Sequence, residues 1–341
     1  MRVLVTGHLG YIGAEMVPQF RALGHDVVGL DAGFFDECDF VRAPERIEEL
    51  RVDLRDVEAS HLEGFDAVAH LAALSNDPLG DVNASITYDI NQHASVRLAR
   101  AAKQAGVSRF LFSSSCSLYG AGGDGLLDEG AEFHPVTPYG ESKVLVEQEV
   151  SRMADQHFSP VYFRNATAYG VSRRLRADIV VNNLVGHAVT TGKVLLQSDG
   201  TPWRPLVHIG DIINAFAAAL TAPREAIHDQ AFNVGKTGEN YRIREVAELV
   251  KEVVPNCEVA FAPGASPDTR NYRVDFSKIE TSLPGFRAEW TLKQGIEELY
   301  RAYLAGKLDK ATWQGPKYYR LKTILGLQER SALTPELRWV E

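Results

Sequence analysis

The sequence predicts an α/β fold in which a doubly wound parallel sheet carries helices on both faces. Short apolar runs rich in β-branched residues alternate with segments of helical period through the first half of the 341 residues. The first of these runs leads straight into a glycine-rich turn, as in a β-α-β unit. After Gly170 the alternation becomes less regular, which predicts a smaller C-terminal domain beside the sheet.

Amphipathic helical patterns separate the strand-like runs of the first half. The segment Asn91 to Ala105 repeats Ala, Val and Leu at helical spacing and stops near Gly106, which suits a helix C-cap. Pro18 falls inside the first expected helix, which it should kink or shorten. The predicted strands are Arg2 to Thr6, Asp26 to Leu30, Ala67 to His70, Arg109 to Ser113 and Pro160 to Arg164.

The second half mixes strand-like and helical segments. The last stretch, 309–341, is polar with scattered aromatic residues, and such a segment more often packs or contacts a second copy than carries catalysis. The other segments are an unassigned one from Asp178 to Gly192, a Gly/Pro-rich turn from Asp199 to Pro205, a strand from Leu206 to Ile209, and helices from Arg244 to Val253 and from Leu292 to Ala305.

The composition excludes several kinds of partner. A formal net charge of −9 and a pI of about 5.6 oppose binding to nucleic acid or to an anionic membrane surface. The three cysteines are far apart and the ten histidines show no H-E-x-x-H spacing, so neither a disulfide framework nor a metal site is predicted. No apolar stretch is long enough to span a bilayer, and the first residues leave no room for a signal peptide. We therefore expect a cytoplasmic protein.

A G-x-x-G-x-x-G turn, formed by Gly7, Gly10 and Gly13, lies between the first strand and the first helix. Glycines there let the backbone N–H groups and the helix N-terminus approach a pyrophosphate. Asp31 ends the second strand, where a carboxylate accepts hydrogen bonds from the adenosine ribose and repels a 2′-phosphate. The alternative for Asp31 is a solvated loop carboxylate. The motif predicts a Rossmann-type dinucleotide-binding domain and favours NAD over NADP.

Tyr139 and Lys143 form a Y-x-x-x-K motif just ahead of a helical run, Ser142 to Met153. Spacing of four places both side chains on one helix face. Since a tyrosine has a reference pKa of about 10, acid–base work near neutrality requires a nearby cation, which Lys143 and an oxidised nicotinamide ring would supply. Upstream, a strand ends in the hydroxyl side chains of Ser113 to Ser117, at the sheet edge where ligands bind.

With these motifs the chain resembles the extended short-chain dehydrogenase/reductases, in particular the NAD-dependent nucleotide-sugar epimerase/dehydratase family. The resemblance covers about the first 280 residues and includes Asp53-Leu54 and His70-Leu71-Ala72-Ala73. It implies an NAD-binding Rossmann domain over residues 1–172 with a return around 206–236. The substrate-binding domain would comprise 173–205 and 237–341. The resemblance also implies a homodimer.

The resemblance implies roles for the individual residues that match positions of the family motifs. Ser115 matches the catalytic Ser/Thr, Tyr139 the base, and Lys143 the residue that lowers the tyrosine pKa and holds the nicotinamide ribose. Asn183 and Arg204 match contacts to the substrate diphosphate. The implied cofactor-binding residues are Gly7, Gly10, Tyr11, Ile12, Gly13, Asp31, Asp53, Leu54, Leu71, Ala72, Ala73, Asn91, Ser113, Tyr139 and Lys143, and the implied substrate-binding residues are Ser115, Ser117, Thr167, Asn183, Arg204 and Arg270.

Departures from the family pattern narrow the chemistry. The 4,6-dehydratases carry an Asp-Glu pair directly after the catalytic Ser/Thr, whereas Cys116 and Ser117 stand there in this chain, which disfavours dehydration. Cys116 is interpreted as a small packing residue rather than a reactive thiol. Thr167 and Pro205 replace the usual Asn and Asp on the substrate side, and the segment around Arg270 is shorter than the usual pattern. The sequence therefore does not identify the sugar or the nucleotide base of the substrate.

The sequence thus predicts an NAD-dependent nucleotide-sugar epimerase that acts at C4 of a nucleoside-diphosphate hexose through a transient 4-keto intermediate. A ketoreductase or dehydrogenase would use the same Ser115, Tyr139 and Lys143 and would release its cofactor in each cycle. A 4,6-dehydratase and a non-catalytic dinucleotide sensor are further alternatives. A sensor has no need to keep a proton-transferring tyrosine.

Overall fold

The computed structural model describes residues 1–75, 83–122, 125–266 and 270–340. Its strands, β1 to β14 in chain order, are Arg2–Thr6, Asp26–Leu30, Glu49–Leu50, Ala67–His70, Arg109–Ser115, Leu126–Leu127, Ser159–Asn165, Thr167–Tyr169, Lys193–Ser198, Trp203–His208, Gln230–Val234, Asn240–Arg242, Glu258–Ser266 and Arg273–Val274. Its α-helices, α1 to α12, are Gly13–Ala22, Ala84–Thr87, Ala94–Gln104, Pro138–Ser151, Val180–Thr191, Ile209–Thr221, Arg224–Ile227, Ile243–Val253, Ser277–Ser282, Leu292–Ala305, Lys310–Gln314 and Arg320–Glu329.

A sheet of seven parallel strands lies at the centre, in the order β11-β7-β5-β4-β1-β2-β3. The chain proceeds from β1 to β2 and β3 on one side and then to β4, β5 and β7 on the other, so the strand order reverses beside β1. Such a reversal opens a crevice at the carboxyl ends of the strands. This architecture confirms the predicted doubly wound α/β fold.

The central strands are mostly apolar and buried because helices cover both faces of the sheet. Every residue of β4 and of β7 is buried. On one face α1 packs against α6, and elsewhere α3 packs against α4. The five predicted strands of the first half are all present, and β5 and β7 each extend to a later residue than predicted, Ser115 and Asn165.

Two helix boundaries differ from the prediction. The helix that carries Tyr139 begins at Pro138 rather than at Ser142, because Thr137 caps it by accepting a hydrogen bond from Gly140 N–H and because proline suits the first helical turn. The predicted helix from Asn91 starts within a π-helical segment, Tyr88–His93, before α3 continues. The predicted end near Gly106 is confirmed, since that glycine adopts a positive φ of 85°.

Pro18 does not end α1, which continues to Ala22. A proline has no N–H, so the carbonyl of Ala14, four residues earlier, lacks its helical donor. The guanidinium of Arg173 donates to that carbonyl at 3.1 Å and also pairs with Glu15 at 2.8 Å. A side chain from the second half of the chain therefore satisfies the carbonyl that the proline leaves free.

The second half forms smaller sheets beside the central one. β9 pairs with β13, β10 lies between β8 and β12, and β6 pairs with β14. The segment from Asp178 to Gly192, to which the sequence assigned no secondary structure, contains the helix α5, which ends at Gly192 with a φ of 69°. Helices α5, α8 and α10 pack together and against β9 or β10 in an apolar cluster of their own. No helix among the described residues combines the length and apolar composition needed to cross a bilayer.

The C-terminal tail, which we define as residues 309–340, folds back across the loop that follows β2. Ile324, Leu327, Leu333 and Leu337 pack there with Phe34, Phe35, Leu74 and Ile90. The indole N–H of Trp339 donates to the carbonyl of Ala32 at 2.6 Å, and Arg55 donates to the carbonyl of Leu337 at 2.8 Å. The tail is thus a packed part of this molecule, next to the end of β2.

Candidate active site

The carboxyl ends of the parallel strands open into a cavity of about 1080 Å³. The cavity begins at the glycine turn after β1, passes the ends of β2, β4 and β5, and continues to β8, β9, α5 and α12. Pockets for a single drug-sized ligand measure roughly 300 to 1,000 Å³, so this cavity has room for a dinucleotide and a second ligand. Each residue predicted from the sequence to bind cofactor or substrate lines it, except Asn91.

Two positions of the glycine turn have no room for a side chain. Gly7 has a φ of 72°, and a Cβ added there would lie 2.8 Å from the backbone nitrogen of Ala72. A Cβ at Gly13 would lie 2.2 Å from the carbonyl oxygen of Gly7. No described side chain caps the N-terminus of α1. The positive end of the α1 dipole therefore faces the place where the pyrophosphate of a dinucleotide would fit.

Asp31 lies at the end of β2, where the prediction places an adenosine ribose. Its carboxylate accepts hydrogen bonds from Gly33 N–H at 2.8 Å and from Leu9 N–H at 3.1 Å. Burial raises the pKa of Asp31, and these hydrogen bonds and the nearby His8 oppose the shift. Two backbone donors leave further acceptor capacity on the carboxylate oxygens. The side chain is thus fixed in orientation and can still receive ribose hydroxyls.

Asp53, the predicted adenine contact, belongs to a charged group that the tail completes. Arg55 pairs with Asp53 at 2.7 Å, and Arg338 of the tail approaches the same carboxylate at 3.4 Å. Although burial raises the pKa of Asp53, the hydrogen bonds from Arg55 outweigh it and lower the pKa overall. The contribution of Arg338 could not be read from the sequence, because 285 positions separate it from Asp53.

Asn91 has a structural role in this arrangement. Its side chain accepts from Leu74 N–H at 2.8 Å and donates to the Leu74 carbonyl at 3.0 Å. It therefore fixes the segment after β4, of which Leu71, Ala72, Ala73 and Leu74 line the cavity, rather than lining the cavity itself.

The proposed catalytic side chains come together where β5 ends and α4 begins. The Ser115 hydroxyl oxygen accepts a hydrogen bond from the Ser117 hydroxyl at 2.9 Å and from Ser117 N–H at 3.1 Å. Lys143 Nζ donates to the Ser113 carbonyl at 2.8 Å and lies 5.5 Å from the centre of the Tyr139 ring. Burial lowers the pKa of Lys143 to about 7.

A buried polar network anchors this part of α4 to the sheet. Glu147, one turn after Lys143, pairs with Arg164 of β7 at 2.7 Å and accepts from the Ser114 hydroxyl at 2.5 Å. Arg164 also donates to the Tyr119 hydroxyl at 3.1 Å. Sequence reasoning missed Glu147, although it follows Tyr139 and Lys143 at intervals of four on the same helix face.

Cys116 points away from the cavity. Its thiol is buried and donates to the carbonyl of Arg164 at 3.1 Å. Burial raises the pKa of the thiol well above its usual value. Since the thiolate is the reactive form, this environment suits the predicted packing residue rather than a nucleophile.

The far end of the cavity contains the residues predicted to bind substrate. Thr167 of β8, Asn183 of α5, Arg204 of β10 and Arg270 all line it. Arg204 donates to the carbonyls of Trp203 and Arg270. Asn183 donates to the carbonyl of Ala177 at 2.7 Å and to the Tyr319 hydroxyl at 3.2 Å. Sequence reasoning missed further residues that line the cavity, among them Arg176, Asp178, Tyr319, Arg320 and Lys322.

The sheet with its glycine turn and the buried lysine beside a tyrosine define a Rossmann-type dinucleotide-dependent enzyme. Residues 3–235 match the model of the NAD dependent epimerase/dehydratase family. The chain belongs to this family, and its cofactor is NAD.

Several characterised proteins are similar over most of the chain. A UDP-glucose 4-epimerase of Mycolicibacterium smegmatis is 28% identical over 87% of this chain and 96% of its own. UDP-glucuronic acid decarboxylase 1 of Arabidopsis thaliana is 27% identical over 88% of this chain and 69% of its own. The structure of MoeE5 in complex with UDP-glucuronic acid and NAD aligns with a TM-score of 0.78 at 27% identity, over 89% of this chain and 99% of that one. Relatives at this distance thus carry out different reactions.

Proposed function

We propose that this enzyme is a nucleotide-sugar epimerase that inverts C4 of a nucleoside-diphosphate hexose through a transient 4-keto sugar. The observation that carries the proposal is the set of groups around Ser115. Hydroxyl, phenol and ammonium groups line the cavity there, and the two positions after Ser115 hold a buried thiol and a hydroxyl rather than carboxylates. This set can move a proton on and off a sugar hydroxyl.

Tyr139 is the group we assign to take the proton of the C4 hydroxyl. Ser115 hydrogen-bonds the same oxygen, and Ser117, which donates to Ser115 at 2.9 Å, fixes the orientation of that hydroxyl. The positive charge of Lys143 favours the deprotonated form of Tyr139. Bound NAD would supply the hydride acceptor and donor.

The substrate side supports a diphosphate ligand. Two arginines, Arg204 and Arg270, lie together at the far end of the cavity with the amide of Asn183. Arginine is suited to phosphate groups because its planar donors match their oxygens in pairs. The names of the similar proteins include UDP-glucose and UDP-glucuronic acid, which agrees with a nucleoside-diphosphate sugar as the class of substrate.

Dehydration requires an acid for the leaving hydroxyl and a base for the C5 proton. The lining carboxylates among the described residues are Asp31, Asp53 and Asp178. The first two lie at the end proposed for adenosine, and Asp178 pairs with Arg176 at 2.8 Å. None follows Ser115, so we favour epimerisation over a 4,6-dehydratase.

The test is an assay without added cofactor. The purified enzyme is incubated with UDP-hexoses and dTDP-hexoses that carry deuterium at C4, and the products are followed by NMR. We expect the C4 epimer with its deuterium retained, and close to one NAD per chain after extensive washing. An enzyme that is empty as purified and turns over only with added nicotinamide cofactor would be the alternative ketoreductase or dehydrogenase, and loss of water from the sugar would indicate a dehydratase.

Variants separate catalysis from binding. Tyr139→Phe should lower kcat by orders of magnitude and leave the NAD content unchanged, because the ring stays and only the proton-transferring group is lost. Tyr300→Phe, which lies outside the cavity lining, is the matched control and should keep full activity. Full turnover by the Tyr139→Phe enzyme would rule out the assigned base.

A further inference from the structure

Three arginines lie buried together between the loop after β2 and the start of α12. Arg174 pairs with Asp39 at 2.7 Å, and Arg176 pairs with Asp178 at 2.8 Å. Arg320, the first residue of α12, is 3% exposed and lines the cavity. The guanidinium of Arg320 stacks 4.3 Å above the centre of the Phe35 ring.

Arg320 differs from the other two in its lack of a carboxylate partner, although the buried Nε of Arg174 also has no hydrogen-bond partner. Its Nη2 donates to the carbonyl of Arg174 at 2.9 Å, whereas its buried Nη1 has no hydrogen-bond partner. Among the described residues no carboxylate forms an ion pair with it. A buried guanidinium that has no carboxylate partner and one unsatisfied donor nitrogen is costly, so such a group suits a place where an anion binds.

Hydrogen bonds connect Arg176 of this cluster to the segment after β4 and, through Asn182, to Tyr11 of the glycine turn. Arg176 donates to the Ser75 hydroxyl at 2.9 Å, in the segment that follows β4 beside β1. The Asn182 amide connects Arg176 to the turn, since it donates to the Arg176 carbonyl at 3.1 Å and to the Tyr11 hydroxyl at 3.2 Å. Arg176 and Arg320 line the same cavity as the glycine turn, and the contact with Phe35 places Arg320 beside the loop that follows β2.

We propose that Arg320, supported by Arg176, binds a diphosphate group, and that this group is the pyrophosphate of the dinucleotide held at the glycine turn. The turn offers backbone N–H groups and the α1 dipole from one side, and the arginine pair offers two guanidinium groups from the cluster beside it. The tail would thus supply a cofactor ligand of its own. This inference needs only NAD binding and is independent of the reaction proposed above.

The charge of Arg320 persists at neutral pH. Burial and the neighbouring Arg176 lower its pKa, while Cys38 and Asp178 oppose the shift, and the result is about 10. Two anions could complete its hydrogen bonding, because the diphosphate of a nucleotide sugar presents the same chemistry as the dinucleotide pyrophosphate. Tyr319, the preceding residue, accepts a hydrogen bond from Asn183 on the substrate side. The experiment therefore has an arm for each source.

The first arm measures the exchange of bound NAD for labelled NAD in the intact enzyme. Arg320→Met keeps an apolar side chain of similar length beside Phe35 and removes the charged donors. We expect exchange to accelerate roughly tenfold to a hundredfold, the range for losing a charge-assisted hydrogen bond. Arg320→Lys, which keeps the charge, should fall between Arg320→Met and the unaltered enzyme. Arg330→Gln removes an exposed arginine just after the same helix and should leave the exchange rate unchanged.

The second arm measures the binding of UDP and dTDP to the NAD-loaded enzyme by calorimetry. Unchanged nucleotide affinity together with fast NAD exchange in Arg320→Met supports the proposal. Weakened nucleotide binding with unchanged NAD exchange overturns the assignment to the dinucleotide and moves the diphosphate to the substrate. If neither changes, Arg320 is not an anion ligand. Thermal unfolding of the NAD-free variants excludes a folding defect, since removal of an unpaired buried cation should not lower their stability substantially.

Discussion

At the scale of the residue, Lys143 has a charge whose energetic cost depends on pH. In the chain without cofactor its ammonium group is buried, donates to the Ser113 carbonyl and lies 4.6 Å above the Phe112 ring. Burial lowers its pKa to about 7, whereas an unfolded lysine titrates near 10.4. Between these values the unfolded chain binds more protons, so this residue makes stability rise with pH. Its burial penalty is fully present below about pH 7.

We therefore expect Lys143→Met to stabilise the NAD-free chain at pH 6, by about 1 to 3 kcal/mol, since one pKa unit is worth about 1.4 kcal/mol. The gain should shrink steadily towards pH 10 while catalysis is lost at every pH. Urea unfolding at several pH values measures the effect. Lys310→Met, at an exposed lysine, is the control and should show no such trend. A gain of equal size at pH 6 and pH 10 would contradict the buried-charge argument.

At the scale of the element, α4 carries Tyr139, Lys143 and Glu147 on one face, and the ion pair of Glu147 with Arg164 joins this face to β7. Both side chains are about 5% exposed. A buried ion pair contributes little compared with well-packed apolar residues, but removing one partner leaves an uncompensated charge. The pair therefore positions the helix, and with it the proposed catalytic tyrosine.

Arg164→Met should accordingly lower the free energy of unfolding by about 3 to 5 kcal/mol. The double variant Arg164→Met with Glu147→Gln should recover part of this loss, because no buried charge remains. Arg301→Met removes an exposed arginine that pairs with Glu297 one turn away, and it should cost less than about 0.5 kcal/mol. Denaturant unfolding measures the free energy of unfolding of each variant. Equal losses for Arg164→Met and Arg301→Met would mean that the buried ion pair stabilises the fold no more than the exposed one.

At the scale of the whole molecule, the sequence predicted features set by local pattern and missed those set by distant contacts. Strands such as β1 and β4 are short, mostly apolar runs next to turns, so their positions followed from the residues alone. The passage of α1 through Pro18 depends on Arg173, which is 155 positions away. The roles of the site residues stay predictions, but the strand topology explains why so many of them share one cavity.

The tail was the part of the chain that sequence reasoning could not interpret. It has no motif, and its partners lie near the opposite terminus: Trp339 donates to Ala32, and Arg338 reaches Asp53. At its other end Tyr319 meets Asn183. The tail therefore connects the end of the cavity proposed for adenosine with the end proposed for substrate.

This connection leads to an expectation for cofactor retention. Ending the chain after Ser331 removes the buried Leu333 and Leu337 and the contacts of Trp339, but leaves Arg320 and every strand of the central sheet in place. Because burial of each leucine is worth about 1.5 to 3 kcal/mol, we expect a lower melting temperature and a folded chain.

In this shortened chain, bound NAD should exchange faster and free adenosine should bind more weakly, because the loop after Asp31 loses its packing. Arg320→Met should leave adenosine binding unchanged, so calorimetry with adenosine separates the two parts of the tail. Retention of NAD equal to that of the full chain would show that the last ten residues only stabilise the fold.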